Sequence, residues 1–245
     1  MIRTAVIVFT LITGLLFAFG CAENAPTDPA ADPTPVPTSI VLDENVMLAD
    51  FEGVTLSVTS GDASGYWYAD NDAMDGGTSS VTGFGPSATP SAGERIFALK
   101  TNATINTYLP IGSEEDFSAA GMAPTNTGYV TNALMFSGPV SLTRNAGISW
   151  YHMSSGASGI NQRVYIYDIQ GRYIRTGAVG SYSTWNSALV DFESMYLPAG
   201  STYTKEDVLK SVSAVIWVHR IFDTINSAYT AEFMIDGVMF ETVVN

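Results

Sequence analysis

From Val41 onward the sequence breaks into short runs in which apolar and polar residues alternate with a period of two. This alternation limits the fold more than any other feature, because it lets each run bury one face of a pleated strand and leave the other to solvent. The runs are rich in β-branched and aromatic residues and are separated by Gly, Ser, Asn and Pro clusters. They place strands at Val46–Glu52, Tyr66–Asp70, Arg95–Lys100, Tyr129–Phe136, Gly147–His152, Arg163–Ile169, Ala188–Phe192, Ser213–Arg220 and Ala231–Phe240. Only Thr204–Lys210 reads as helical, with Thr204 as cap and Asp207 at the third helical position, close to a capping box. The expected fold is all-β: a two-sheet antiparallel β-sandwich with one short helix. No repeat or second linker interrupts residues 41–245, which predicts one domain there.

Charge narrows the function. Ten Lys and Arg stand against 24 Asp and Glu, a formal charge of −14, with no basic run that could neutralise a phosphate backbone or an anionic lipid surface. Nucleic acid is therefore excluded as a partner. Charged residues make up only 14 %, below the usual quarter, while Gly, Ser, Thr, Asn and Tyr abound, a balance typical of extracellular β proteins. One Cys and two His build neither an intrachain disulfide nor a Cys/His zinc cluster, so any metal must be held by oxygen.

The first forty residues read as an address and a tether. Arg3 precedes an apolar stretch, Ala5 to Phe19, too short to span a bilayer comfortably, so residues 1–20 form a secretory signal. Ala18-Phe19-Gly20-Cys21 resembles the lipobox of bacterial lipoproteins, which usually has Leu where Ala18 stands and a small residue where Phe19 stands. The resemblance implies cleavage before Cys21 and lipidation of its thiol and amine, and two or three acyl chains anchor a protein stably. Ala22 in place of Asp then points to the outer membrane or cell surface of the bacterial envelope. An ordinary secretory signal with an incidental Cys is the other reading. Residues 21–40 hold five of the eleven prolines and almost no large apolar side chain, which predicts an extended spacer.

Several segments resemble, in order, a galactose-binding-like jelly roll. These are Leu48-Ala-Asp-Phe-Glu52, Gly65-Tyr-Trp-Tyr-Ala-Asp-Asn-Asp72 and Asp75-Gly-Gly-Thr-Ser79, followed by Gly147-Ile-Ser-Trp-Tyr151 and Arg163-Val-Tyr-Ile-Tyr-Asp168. Thr184-Trp185, Leu189-Val-Asp-Phe192, Val215-Ile-Trp217 and Phe233-Met-Ile-Asp236-Gly-Val-Met-Phe240 complete the set. Together they are similar to family 11 carbohydrate-binding modules over nearly all of 46–241. The resemblance implies a polysaccharide or oligosaccharide partner and a structural Ca²⁺ held in part by Glu52 and Asp236. A hard cation wants six to eight oxygens, so backbone carbonyls or water must join these two carboxylates. Asp70, Asp72 and Asp75 suggest a second calcium loop, but Met74 and Asp75 occupy positions where an EF-hand needs Asp or Asn and Gly. A turn with Asx hydrogen bonds is the preferred reading there.

Alternation along Val164–Tyr167 and Val215–His219 sets aliphatic residues on one face and Tyr165, Tyr167, Trp217 and His219 on the other. With Ile148 and Trp150 inward, Ser149 and Tyr151 join that aromatic face. An exposed aromatic sheet face marks a contact surface, and it suits sugars, whose CH-rich ring faces stack on aromatic rings while nearby polar groups bond the hydroxyls. Asp168 and Arg220 are possible orienting groups at its rim. The opposing reading puts these rings in the core, or roofs Tyr165 and Tyr167 with the long loop Gly112–Thr127. Trp67, Trp150 and Trp185 are expected in the core and His152 in a structural role.

Catalytic motifs are missing: there is no Gly-x-Ser-x-Gly elbow, Walker loop or His-Glu-x-x-His. Sequence alone does not pair Glu94, Asp168, Asp191, Glu193 or Glu232 as a glycosidase would need. The sequence thus reads as a lipid-anchored, non-catalytic binder of β-glucan-like polysaccharide at the cell surface. Its rival is a surface adhesive or structural protein using the same face for protein contact or self-association.

Overall fold

A computed structural model of the chain describes residues 38–42, 46–60, 63–92, 95–108, 126–156, 159–180, 182–223 and 227–242. The expected signal peptide, Cys21, nearly all of the tether, Glu94 and most of the 112–127 loop lie outside these residues. Fourteen strands are present among the described residues. The first seven are Ile40–Val41 (β1), Val46–Ala49 (β2), Ser57–Ser60 (β3), Ala63–Asn71 (β4), Ser80–Ala92 (β5), Arg95–Asn106 (β6) and Asn126–Ser141 (β7). The second seven are Asn145–Ser155 (β8), Asn161–Asp168 (β9), Tyr173–Arg175 (β10), Val179–Gly180 (β11), Asn186–Asp191 (β12), Val212–Asp223 (β13) and Ala228–Thr242 (β14). A helix, Lys205–Leu209 (α1), precedes β13 and carries the expected cap: Thr204 accepts from the Asp207 backbone N–H while the Asp207 carboxylate accepts from the Thr204 N–H.

The strands form two sheets. Sheet A runs β10-β9-β13-β7-β4-β3, with β11 beside β9 and β1 parallel to β7; sheet B runs β12-β8-β14-β6-β5, with β2 beside β14. All other pairings are antiparallel. The sheets pack as the expected sandwich, and three indoles join them. Trp67 and Trp217 of sheet A lie 5.1 Å apart, and Trp150 of sheet B meets Trp217 edge-on at 6.2 Å. All three are at most 2 % exposed, and aromatic burial of this size dominates core energetics.

One expected strand is shortened and one strand is unexpected. The run from Val46 leaves sheet B after Ala49, because Phe51 turns its ring into the core against Trp67, 5.5 Å away, and adopts φ +54°. Val54 closes the same turn at φ +51°, a strained conformation for a β-branched residue, with its N–H bonded to the Phe51 carbonyl. The sequence also concealed β5. No strand is expected over 80–92, where Gly83, Gly85 and Pro86 break the alternation, but β5 is the edge of sheet B, where a missing N–H and weak alternation are tolerated.

Candidate functional site

Register places the candidate site on the outer face of sheet A, since residues directly opposite in an antiparallel pair share a face. One row across the sheet reads Tyr66, Met135, Ala214, Tyr167, Tyr173; the next reads Tyr68, Ala133, Ile216, Tyr165, Arg175. A third reads Asp70, Thr131, Val218, Arg163, and a fourth sets Tyr129 beside Arg220. The middle strands β7 and β13 thus present small or aliphatic side chains, while β4 on one side and β9 with β10 on the other raise tyrosines. The result is a trough running along the strands, with a depression of about 320 Å³ lined by Tyr68, Tyr129, Tyr165, Tyr167, Ile216 and Arg220 among others.

The tyrosine walls are held in place. Tyr165, Tyr167 and Tyr173 form a cluster with ring centroids 5.2–6.2 Å apart, and the Tyr203 hydroxyl bridges the Tyr173 backbone N–H and carbonyl. Burial, and then the neighbouring phenols, push the Tyr167 hydroxyl far above its ordinary value; burial, then Asp70 and Tyr66, raise the Tyr68 hydroxyl. Both therefore remain neutral hydroxyls that donate and accept. At the far end the Tyr129 hydroxyl donates to Asp75, and the Arg220 guanidinium lies 5.2 Å over the Tyr129 ring. Burial first, then Asp75, drive the Tyr129 hydroxyl upward as well.

Asp75 sits on the turn Asp72–Asp75, which confirms the Asx reading of this loop. Asn71 Oδ1 accepts from the Ala73 N–H, and fully buried Asp72 accepts from Ser79 N (2.9 Å), Ser79 Oγ (2.7 Å) and Tyr129 N (3.1 Å). Asp72 thereby ties the turn to β7.

Several expected site residues lie elsewhere. Trp217 is 0 % and His219 2 % exposed, both facing sheet B across the core, because Ile216, Val218 and Arg220 are the β13 residues that share the tyrosine face. His219 stacks on Phe233 at 4.0 Å, and its Nδ1 faces Gln162 Nε2 at 3.5 Å. Gln162 Oε1 in turn accepts from Trp150 Nε1. Burial, with a smaller contribution from His152, pushes the His219 imidazole down to about 3, so it is uncharged. Tyr151 is exposed, but on the outer face of sheet B, opposite Ser187 and Asp236. Asp168 is buried and closes its own turn, accepting from the Gln170 and Arg172 N–H groups and pairing with the Arg172 side chain at 2.6 Å. Trp67, Trp150 and His152 are buried as expected, whereas Trp185 is only half-buried.

Tyr66, Tyr68 and Tyr129 are trough residues that sequence reasoning missed. A signal existed for two of them: in Tyr66-Trp67-Tyr68, assigning Trp67 to the core sends both neighbours outward.

Glu52 and Asp236 line one cavity of about 650 Å³ on the outer face of sheet B, together with Asp50, Glu241, Met47, Tyr151 and Leu189. Glu52 Oε1 accepts from the Phe97 N–H, and Asp236 Oδ1 from the Gly237 N–H. Among the described residues no three His, Cys, Asp or Glu side chains converge as metal ligands. A Ca²⁺ ion on this pair would take its remaining ligands from backbone carbonyls and water.

No family model matches the sequence, and no curated protein matches it. Solved structures do. The family 11 carbohydrate-binding module of a cellulosomal cellulase of Clostridium thermocellum superposes with a TM-score of 0.50 at 14 % identity, covering 81 % of this chain and 95 % of the module. The same family's module from C. thermocellum in complex with a β-1,3-1,4-mixed-linked tetrasaccharide gives 0.50 at 15 % identity, covering 82 % and 98 %. The chain therefore has the jelly-roll β-sandwich fold seen in family 11 carbohydrate-binding modules.

Proposed function

We propose that this chain is a non-catalytic carbohydrate-binding protein whose tyrosine trough holds a β-glucan-like polysaccharide, and that lipid on Cys21 fixes it at the bacterial cell surface. The observation that carries the reading is the pair of tyrosine walls on either side of a floor of Ala133, Ala214, Ile216 and Val218. The floor accepts the CH-rich face of a sugar ring, the rings flank it, and neutral phenols with Asp70, Asp75 and Arg220 bond hydroxyls. Sugars lacking one of those hydroxyls leave a polar group unpaired, which is the source of selectivity. The family 11 fold, one example of which is a complex with a mixed-linked tetrasaccharide, supports the assignment.

The test is affinity electrophoresis through gels containing soluble mixed-linkage β-glucan, with titration calorimetry on a tetrasaccharide. Retardation is expected. Tyr68→Phe and Tyr167→Phe, which keep the packed rings and remove only the hydroxyls, should each weaken binding about tenfold, ~1.4 kcal/mol, with little change in the unfolding midpoint. Trp217→Ala should instead cost about 3–5 kcal/mol of stability. Absence of retardation by a panel of glucans, xylans and mannans would remove the proposal, and concentration-dependent self-association lost in the tyrosine variants would replace it with adhesion.

A further inference from the structure

We infer that the cavity on the outer face of sheet B is a docking site for a basic, apolar-flanked segment of another protein. Large apolar side chains stand open there: Leu189 is 69 %, Met47 47 % and Tyr151 38 % exposed, and all three line the same cavity. Register makes this a continuous face, with Met47 opposite Met239, Met239 opposite Ser149 and Ser149 opposite Leu189. Exposed apolar groups gathered around a cavity mark a contact surface.

Charge decides the occupant. The described lining contains Asp50 and Glu241, together with Glu52 and Asp236, and no Lys, Arg or His. A Ca²⁺ ion on Glu52 and Asp236 would still leave Asp50 and Glu241 as a negative rim. A second copy of this chain would bring the same carboxylates against them in a two-fold contact, and like charges brought face to face are repelled. An anionic lipid surface is repelled for the same reason. A segment carrying Lys or Arg between apolar residues satisfies both features, since its hydrocarbon side chains cover Met47, Tyr151 and Leu189 while its cations meet the rim. The tyrosine trough belongs to the other sheet, so this surface stays available while glycan is bound.

The experiment is fluorescence anisotropy with three labelled synthetic peptides: one alternating Lys/Arg with Leu/Phe, one with Glu in place of the basic residues, and one with Ser in place of the apolar residues. Only the first should bind the protein at low salt, and ~0.5 M salt should weaken it. Leu189→Ser and the double variant Asp50→Asn/Glu241→Gln should each weaken it about tenfold, while glucan retardation stays unchanged in both. Equal binding of the basic Ser peptide would make the contact nonspecific charge attraction and overturn the proposal. Binding unaffected by Leu189→Ser, loss on adding CaCl₂ that EDTA restores, or a dimer by sedimentation abolished by Leu189→Ser would each overturn it too. Glucan retardation in the wild type reports on the trough separately, so failure of one proposal is distinguishable from failure of the other.

Discussion

Trp217 and its neighbour Ile216 show how much a single position decides. Alternation along β13 separates Trp217 and His219 from Ile216 and Val218, but it does not say which set faces the other sheet. The contacts of Trp217 with Trp150 and of His219 with Phe233 settle that, and they reverse the assignment that aromatic character suggests. The core set carries a pH consequence. His219 is uncharged in the fold, held near 3 by burial against Phe233, Gln162 and His152, and regains the ordinary value near 6.5 when unfolded. The unfolded state therefore binds more protons at acid pH, so this contribution to stability is complete above pH 6.5 and drains away as pH falls from 6.5 towards 3. His152, lowered by burial, acts in the same direction. Urea unfolding of wild type should weaken between about pH 7 and pH 4.5, and His219→Leu should show a smaller drop over the same interval. Parallel losses in both proteins would assign the acid sensitivity to other groups.

Among elements, the turn Asp72–Asp75 links fold to site most directly. Asp72 accepts three hydrogen bonds from Ser79 and Tyr129, and Gly77 leaves it room: a Cβ there would stand 2.2 Å from the Asp72 carboxyl. Asp72→Asn turns an acceptor into a donor facing donors, so it should cost about 1–3 kcal/mol in urea unfolding. It should also weaken glucan binding, because Asp75 and Tyr129 lose their common anchor. An unchanged midpoint would show that the turn is held by other contacts. Legibility followed burial here. The long central strands and α1 were readable because alternation and a capping box are local signals. The edge strand β5 was not, since Gly83, Gly85 and Pro86 are tolerated only by virtue of having no neighbour on one side. The tyrosine trough was half readable: Tyr165 and Tyr167 alternate within one strand, but their opposite wall on β4 joins them only through two intervening strands.

At the scale of the molecule, the two sheets present unlike outer faces, tyrosine-walled on sheet A and acidic with apolar residues on sheet B. The two proposed ligands, a polymer on sheet A and a protein on sheet B, would therefore bind without competition. The proposed lipid anchor on Cys21 has its own measurement. Wild type expressed in a bacterial host should partition into the detergent phase of Triton X-114, and Cys21→Ser should move to the aqueous phase; aqueous partition of both would leave a secreted product. The walls of the trough stand on β4 and β9, separated by β13 and β7, a gap of three strand spacings or roughly 14 Å. Hydrogen-bonded pairing, and not side-chain rotation, sets that gauge, and widening it means tearing ladders apart. On the proposed glycan reading, selection acts by girth, admitting unbranched chains and turning away those with substituents on both flanks.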